Sequence, residues 1–565
     1  MQVLLTNDKA KQVTIGYLKD KLEIEIMKDK TERMKLLFGL CALSEDISKA
    51  DIATEDHVSL FAVACSLYSS LFLEELDYPL IDEDTPELFF NKDFGKKVAE
   101  AAEGVVPDDY FNEDGSPNSE VMHLDWLATL TNNSLFQGDT FHEITNIMIL
   151  CGLKGYKGLA ANPGPINSIF QSKTGNSAEN YFRILFSLWC MSLNKFFVNT
   201  NTLFKNSSIP EELKEIAEAI LEDLSIEIKN GHTKLQFADI YSGKAKPMAI
   251  FCRLPLIKVS PVHYLFSGQP FLKVQVTSKF LNKALQFARD VEGRGSTEFS
   301  SYLGKDRFED YFFELTKDWL TKNDYKREYR YLSNNTDLSP DFICLEKHGS
   351  SNVAHLFQLK LKMPTEKTIY GHSFEDVDRD LNKFSELIYK SIQYLYKLHV
   401  ALENGTLDNE TKEYSIRVLA AKHCCLFGVI PTSPSIFSTI ITRKRILKSA
   451  LENISQDELE WFTRKYANGK RFHWYIFSLP DFQSFLGLPE EKQHLFKEFK
   501  RYIQNSEIDK VLIKKNYIPP DFRSYLYKYH SNKKYKIKYN EELHSIFDKY
   551  FEEIIDFLKL DPNKT

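Results

Sequence analysis

Apolar residues recur at helical spacing through much of the first 245 residues. Thr31–Leu43, Asp56–Leu76, Leu124–Leu130, Phe141–Leu153 and Glu179–Phe197 all carry that period. In Asp56–Leu76 the apolar positions run most of the way round, as in a buried helix. Pro210, followed by Glu211 and Glu212, predicts a further helix: proline suits a first turn, and acids suit the positive end of the helix dipole. Pro107–Pro117 and Ala161–Ser177 are turn-rich and separate these helices. The pattern changes near residue 247. Pro247–Ser260 and Phe271–Thr277 are short, β-prone apolar runs that predict strands, and Lys279–Asp290 predicts a helix. Glu292–Thr297 reads as a boundary loop.

From residue 300 helices and strands alternate. Phe308, Phe312, Leu315 and Trp319 place a helix over Asp306–Leu320. Tyr325–Leu332, Phe342–Leu345 and Val353–Leu361 read as strands, and Phe374–Leu402 as a long amphipathic helix. Tyr414–Ala421 and Cys424–Pro431 are strand candidates, Ile436–Ala467 a helix, Phe472–Leu479 a strand and Gln493–Gln504 a helix. The implied class is α/β, a mixed-sheet core preceded by a large, mainly α-helical N-terminal domain. The predicted division is 1–245 helical and regulatory or sensing, 246–298 a β-containing connector, 299–480 the α/β domain, and 481–565 a basic, Tyr-rich helical extension.

Composition narrows the class. The chain has 565 residues, 43% hydrophobic and 27% charged, which excludes a long disordered chain. No apolar run approaches the roughly 20 residues of a membrane helix; Leu60–Leu73 is too short and ends in Glu74 and Glu75. The N-terminus lacks the ordered parts of a signal peptide, so a cytoplasmic location is expected. The eight cysteines are scattered without zinc-ligand spacing and read as reduced core thiols. Cys424 and Cys425 fit strand packing. The glycines from Gly152 to Gly158 lack the Gly-Lys-Ser/Thr ending of a phosphate loop.

Charge is uneven. The net charge is −7, but residues 1–300 hold 30 basic and 41 acidic residues, whereas 411–540 hold 24 and 12. A basic surface in an acidic chain points to a polyanion at that surface, or to a solvated lysine face. Between Lys497 and Tyr539, twelve basic residues and seven tyrosines are interleaved. Lysines such as Lys533 and Lys534 could neutralise phosphates while rings stack on bases. The alternative is a packed Tyr-rich helix with a solvated lysine face. Arg443, Lys444 and Arg445 are further candidates for backbone contact.

The informative chemistry lies in Ser339-Pro-Asp-Phe-Ile-Cys-Leu and, after a turn, Ala354-His-Leu-Phe-Gln-Leu-Lys-Leu-Lys362. Strand side chains alternate, so Gln358 and Lys360 share one face while Phe357, Leu359 and Leu361 share the other. A strand buried on both sides should not carry Gln and Lys uncompensated, and Asp341 on the neighbouring strand is a candidate partner. Glu309, on the preceding helix, adds a second carboxylate; Glu314 competes for that role. Glu309, Asp341, Gln358 and the Leu359 backbone carbonyl form an oxygen set suited to Mg²⁺ or Mn²⁺. Lys360 would orient a water or stabilise charge on a phosphorane. The simpler alternative is an ordinary α/β domain in which Lys360 pairs with Asp341. His355 lies on the opposite face and reads as a packed strand residue. His372 sits in an acidic loop, and Asp376, Asp378 and Asp380 complement a helix N-terminus.

Pro340-Asp341, a spacer and Gln358-Leu359-Lys360 resemble the PD-(D/E)xK nuclease superfamily, in its Gln-x-Lys, Mrr-like variant. Gly304–Glu309 resembles the helix that supplies an additional metal-binding Glu, and Lys390-Ser-Ile-Gln393 resembles a Gln- or Lys-bearing position on the helix after the motif. The resemblance covers residues 300–430 and implies a restriction-endonuclease-like core. It further implies Mg²⁺-dependent hydrolysis of nucleic acid, with DNA favoured over RNA and an endodeoxyribonuclease favoured. The implied setting is a prokaryotic restriction or anti-phage defence effector, as a homo-oligomer or with a defence-system partner protein, and not at a membrane. The competing class is a nuclease-fold scaffold without catalysis that binds nucleic acid or a partner protein, with Gln358 as the mark of lost chemistry. A third class is a helical-repeat adaptor with an incidental sheet.

Overall fold

The structure is a computed structural model. It describes residues 114, 116, 140–193, 197–201, 211–227, 252–258, 261–293, 298–327, 340–361, 374–432, 440–466, 471–508, 522–531, 537 and 540–558. The helices expected at Thr31–Leu43, Asp56–Leu76 and Leu124–Leu130, the turn segment Pro107–Pro117 apart from Asp114 and Ser116, and His372, Lys533 and Lys534 lie outside these residues.

Helices α1 (Thr140–Leu150), α2 (Gly164–Thr174) and α3 (Ala178–Ser192) open the described chain. Helix α2 falls inside the segment expected to be a turn: Pro163 and Pro165 disfavour only a helix interior, and here they stand at its start. Strand β1 (Phe197–Asn199), helix α4 (Glu211–Asp223), β2 (Ser225–Glu227), β3 (Leu256–Lys258) and β4 (His263–Phe266) follow, with sheet order β1-β4-β3-β2. The run Phe271–Thr277, expected as a strand, is helical instead. Helix α5 (Gln269–Val274) starts with proline in its first turn, passes through a π-helical segment at Gln275–Lys279 and continues as α6 (Phe280–Glu292). Phe271, Leu272, Val274 and Val276 are all buried, so burial on every side overrides their strand preference.

The second half begins with α7 (Glu298–Ser301), a π-helical stretch at Tyr302–Glu309 and α8 (Asp310–Thr321). Strands β5 (Asp324–Arg327), β6 (Phe342–His348) and β7 (Ser351–Leu359) pair antiparallel in that order. Helix α9 (Phe374–Glu403) then crosses over. Helix α10 (Asn409–Ala420) precedes β8 (His423–Ile430), which lies parallel to β7. Helices α11 (Ile440–Glu452) and α12 (Gln456–Lys465) lead to β9 (Phe472–Ser478), parallel to β8. The result is a five-stranded mixed sheet, β5-β6-β7-β8-β9. Helices α13 (Leu479–Leu486), α14 (Leu495–Ile508), α15 (Phe522–Ser531) and α16 (Glu541–Leu558) complete it.

Two expectations here are corrected. Tyr414–Ala421 is not a strand: Tyr414, Val418 and Leu419 are buried while Ile416 is exposed, a helical period, and Asp408 caps the helix by accepting from Thr411 N at 2.9 Å. The single helix expected over Ile436–Ala467 is two, because Ser455 and Glu458 form a reciprocal capping box that starts α12 afresh.

One apolar core includes Ile147 and Phe186 from the first half, Phe312, Phe357 and Phe427 on one sheet face, and Phe499 and Phe547 from the C-terminal helices. Residues from all four expected segments therefore share it. Ile343, Leu356, Leu426 and Ile476, on the other sheet face, pack beneath α9 at Phe384, Leu387 and Leu395. Buried Arg307 joins the halves by donating to the Ile149 carbonyl at the α1 C-terminus and, at 2.7 Å, to the Ala160 carbonyl in the loop that follows. Among the described residues, no helix is long and apolar enough to cross a membrane.

Candidate active site

Three strand ends and a helix meet at one end of the sheet. Phe342 of β6 is registered with Phe357 of β7, and Asp341 stands just before β6, at the end of that ladder. Asp341 N donates to the Phe357 carbonyl at 2.9 Å, and Leu359 N donates to Asp341 Oδ2 at 2.5 Å. The carboxylate thus takes a ladder position at the end of β6. Lys360 N donates to the Val429 carbonyl at 3.0 Å, which keeps Lys360 aligned with β8 just beyond β7.

Gln358 is 3% exposed, and its Oε1 is a buried oxygen with no hydrogen-bond partner among the described residues. Its neighbour across β8 is Gly428. A Cβ on Gly428 would come within 2.7 Å of Leu387 Cδ1, so a larger residue there would require Leu387 on α9 to shift. An orphaned amide oxygen costs about 1–3 kcal/mol. Lys360 is half-buried, two residues further along the same face. Phe357 and Leu359 enter the aromatic core on the opposite face, as the alternation requires.

Glu309 ends the π-helical stretch on that opposite side of the sheet. The next residue, Asp310, forms an ion pair with Arg327, which is registered with Phe342. Glu309 is therefore anchored at the same sheet end as Asp341. Glu314 points elsewhere: it pairs with Lys317 at 3.6 Å and lies against Gly158. Among the described residues, no three His, Cys, Asp or Glu side chains are grouped as a metal centre would need. The expected set contains only two such carboxylates, and its remaining donors are the Gln358 amide and a backbone carbonyl.

The expected nucleic-acid contacts divide. Lys390 is paired with Glu386 at 2.6 Å. Gln393 lies six residues beyond Leu387, roughly 9 Å further along α9 and away from Gln358. Arg445 donates to Asp378 Oδ1 at 2.5 Å, which ties the start of α11 to the start of α9. Lys444 is exposed, and Arg443 has a buried Nη1 without a hydrogen-bond partner among the described residues. Tyr502 and Tyr525 are buried against Phe522, so these two rings are core and offer no surface for bases.

A second polar cluster escaped the sequence reading. On the aromatic face, at the other end of the sheet, Glu346 Oε2 stands 2.8 Å from His355 Nε2 and accepts from Phe496 N at 3.1 Å. His494 Nδ1 is 3.6 Å from Glu346 Oε1, and His423 and His473 face each other with ring centroids 5.6 Å apart. Burial, aided by His423, Lys500 and His355, pulls His473 down to about 4; burial and Lys500 also lower His423. The available signal was alternation, which sets Glu346, His355, His423 and His473 on one face once register is known. The six described cysteines form no disulfide and are buried, and burial pushes the Cys151 and Cys424 thiols up to about 12.

Compared with known proteins, the chain matches no family model, no curated protein and no solved structure.

Proposed function

We propose that this sheet end hydrolyses phosphodiester bonds in nucleic acid, with DNA the favoured substrate, as a Mg²⁺- or Mn²⁺-dependent nuclease. The observation that carries the reading is that Asp341 holds the end of β7 at Leu359 N, between Gln358, whose buried oxygen has no partner among the described residues, and Lys360. The order of elements supports it: helix with Glu309, strand, strand led by Asp341, strand carrying Gln358 and Lys360, then a long helix. That is the order the PD-(D/E)xK resemblance implies. The site also lies at the carboxyl ends of parallel strands β7 and β8, where open α/β sheets bind ligands.

The donors on offer suit a hard cation: a carboxylate from Asp341, an amide oxygen from Gln358 and the Leu359 carbonyl, while Glu309 lies on the other side of the sheet. Such an ion, when bound, would polarise a phosphoryl oxygen and acidify a water. Asp341 holds the end of β7 through Leu359 N and so fixes the position of Gln358. Lys360 would bind the scissile phosphate and stabilise its developing charge. The Lys444 surface would hold flanking backbone. A prokaryotic restriction or defence role follows from the resemblance, with the helical first half as the part that restrains or directs cleavage.

A second reading has its own support. Asp341 Oδ2 is already engaged by a backbone N–H, and Gln358 brings no charge, as in a nuclease-fold scaffold that binds without cutting.

The test is cleavage of plasmid, linear duplex, single-stranded DNA and RNA by the full chain with Mg²⁺, Mn²⁺ or EDTA. Metal-dependent cutting is expected to fall about 10²–10⁴-fold in Lys360→Ala and Asp341→Ala. Binding without metal-dependent cutting would favour the scaffold. Cutting that survives both substitutions would overturn the site.

A further inference from the structure

A cavity of about 520 Å³ lies between α3, the end of α4 and the helix running from Gln275 through α6, and none of its lining residues belongs to the five-stranded sheet. That volume suits a small-molecule ligand. Its lining includes Arg253, Lys279, Lys283 and Asp223, together with Gln275 and Gln286. Three cations and one carboxylate thus line it, in a chain whose first 300 residues are acidic overall.

The helix creates this wall. Gln275, Lys279, Lys283 and Gln286 fall at spacings of four, four and three, so they share one face. Two lysines at i,i+4 concentrate positive charge on that face, and Asp223 offsets it at Lys283. Asp223 is engaged with Lys283 at 3.1 Å, and Lys283 also reaches the Tyr181 hydroxyl at 2.5 Å. Gln275 is fixed by donating to the Cys252 carbonyl at 2.6 Å, which brings the neighbouring Arg253 to the same cavity. The backbone supports a built site. Lys279 closes a π-helical segment whose Thr277 leaves helical geometry (φ −113°, ψ −106°), and such segments recur at functional sites. Thr277 Oγ1 donates to the Lys273 carbonyl at 2.8 Å across that kink.

We propose that this cavity binds a small phosphate-bearing ligand of nucleotide size, with Arg253 and Lys279 on the phosphate and Gln286 and Asn282 toward the nucleoside. Burial lowers Lys279 to about 8, and Arg253 and Lys283 push in the same direction. A bound dianion would reverse that trend and favour the ammonium. The inference is independent of the phosphodiesterase reading, and the two stand or fall separately.

The test is calorimetry and thermal melting of the full chain with AMP, pyrophosphate and uncharged adenosine. AMP is expected to bind and raise the melting temperature, and adenosine to do neither. Arg253→Gln and Lys279→Gln should each weaken AMP binding about tenfold or more. Arg253 is exposed, so its substitution spares the fold. Lys173→Gln, which removes an ion pair with Asp290, should bind AMP as the parent does. Lys360→Ala should also bind normally, which separates this cavity from the sheet end. Pyrophosphate binding as tightly as AMP would support phosphate recognition and overturn the nucleoside assignment. No response to AMP or pyrophosphate, equal binding of adenosine, or unchanged binding in both cavity variants would overturn the proposal.

Discussion

The five-stranded sheet carries two polar clusters, one on each face and at opposite ends, and they are built on different principles. At the histidine end, Glu346 Oε2 is knitted to His355 and to the backbone of α14, while Glu346 Oε1, His355 Nδ1 and His473 Nε2 are buried without a hydrogen-bond partner among the described residues. At the other end, Asp341 caps a strand, but Gln358 keeps a buried oxygen without a partner beside a half-buried Lys360. A third cluster gives the reference point. Tyr311 donates to Asn146 Oδ1 at 2.6 Å, Gln483 donates to the same oxygen at 2.6 Å, and Asn146 returns a bond to Gln483 at 3.2 Å. A polar group paired by its own chain holds the fold, whereas a buried atom without a partner is a candidate ligand position, and both ends of the sheet hold such atoms.

The sharpest way to break the contrast is to remove a group the fold depends on. Glu346→Ala strips a carboxylate from His355 and from Phe496 N and should cost about 3–5 kcal/mol. Urea unfolding would measure it, and a loss below about 1 kcal/mol would place Glu346 outside the structural class.

The next effect is pH-dependent. His473 is held neutral in the fold down to about 4, whereas the unfolded chain takes up its proton near 6.5. Stability should therefore fall as pH drops through that window, by roughly 2 kcal/mol between pH 7 and pH 5. His473→Leu should flatten the dependence, and urea midpoints at the two pH values would show it. An unchanged pH slope would mean that the site hydrates and protonates without opening.

The smallest effect belongs to the saturated network. Tyr311→Phe removes one donor and leaves the Asn146–Gln483 bonds, for a loss of about 1–2 kcal/mol in a thermal or urea melt. A loss as large as that of Glu346→Ala would remove the distinction between neutral and charged clusters.

Much of the sheet was readable from sequence because β6, β7, β8 and β9 are short apolar runs bounded by turns. Gln358 and Lys360 stood out for the same reason: they are polar positions within such a run. Local pattern failed where tertiary packing decided the outcome. Phe271–Val276 folds as helix because it is buried on all sides, and Tyr414–Ala420 because its buried positions follow a helical period that resembles alternation over a few residues. The histidine cluster was hidden because its members lie on four strands and α14 and converge only once register is set. The lysines of the cavity wall were visible as an i,i+4 pair, but the cavity depends on α3 and α4, which sequence spacing does not place.

The most direct measurement of the central claim is Mn²⁺ binding to the full chain by calorimetry, comparing the parent with Gln358→Leu and Gln358→Glu. If the orphaned oxygen is a ligand position, Gln358→Leu should lose Mn²⁺ affinity at this site by tenfold or more while melting no lower than the parent without metal, because it removes an unsatisfied buried group. Gln358→Glu should bind Mn²⁺ more tightly than the parent. Equal Mn²⁺ binding by all three proteins would contradict the account and leave Gln358 as a feature of packing alone.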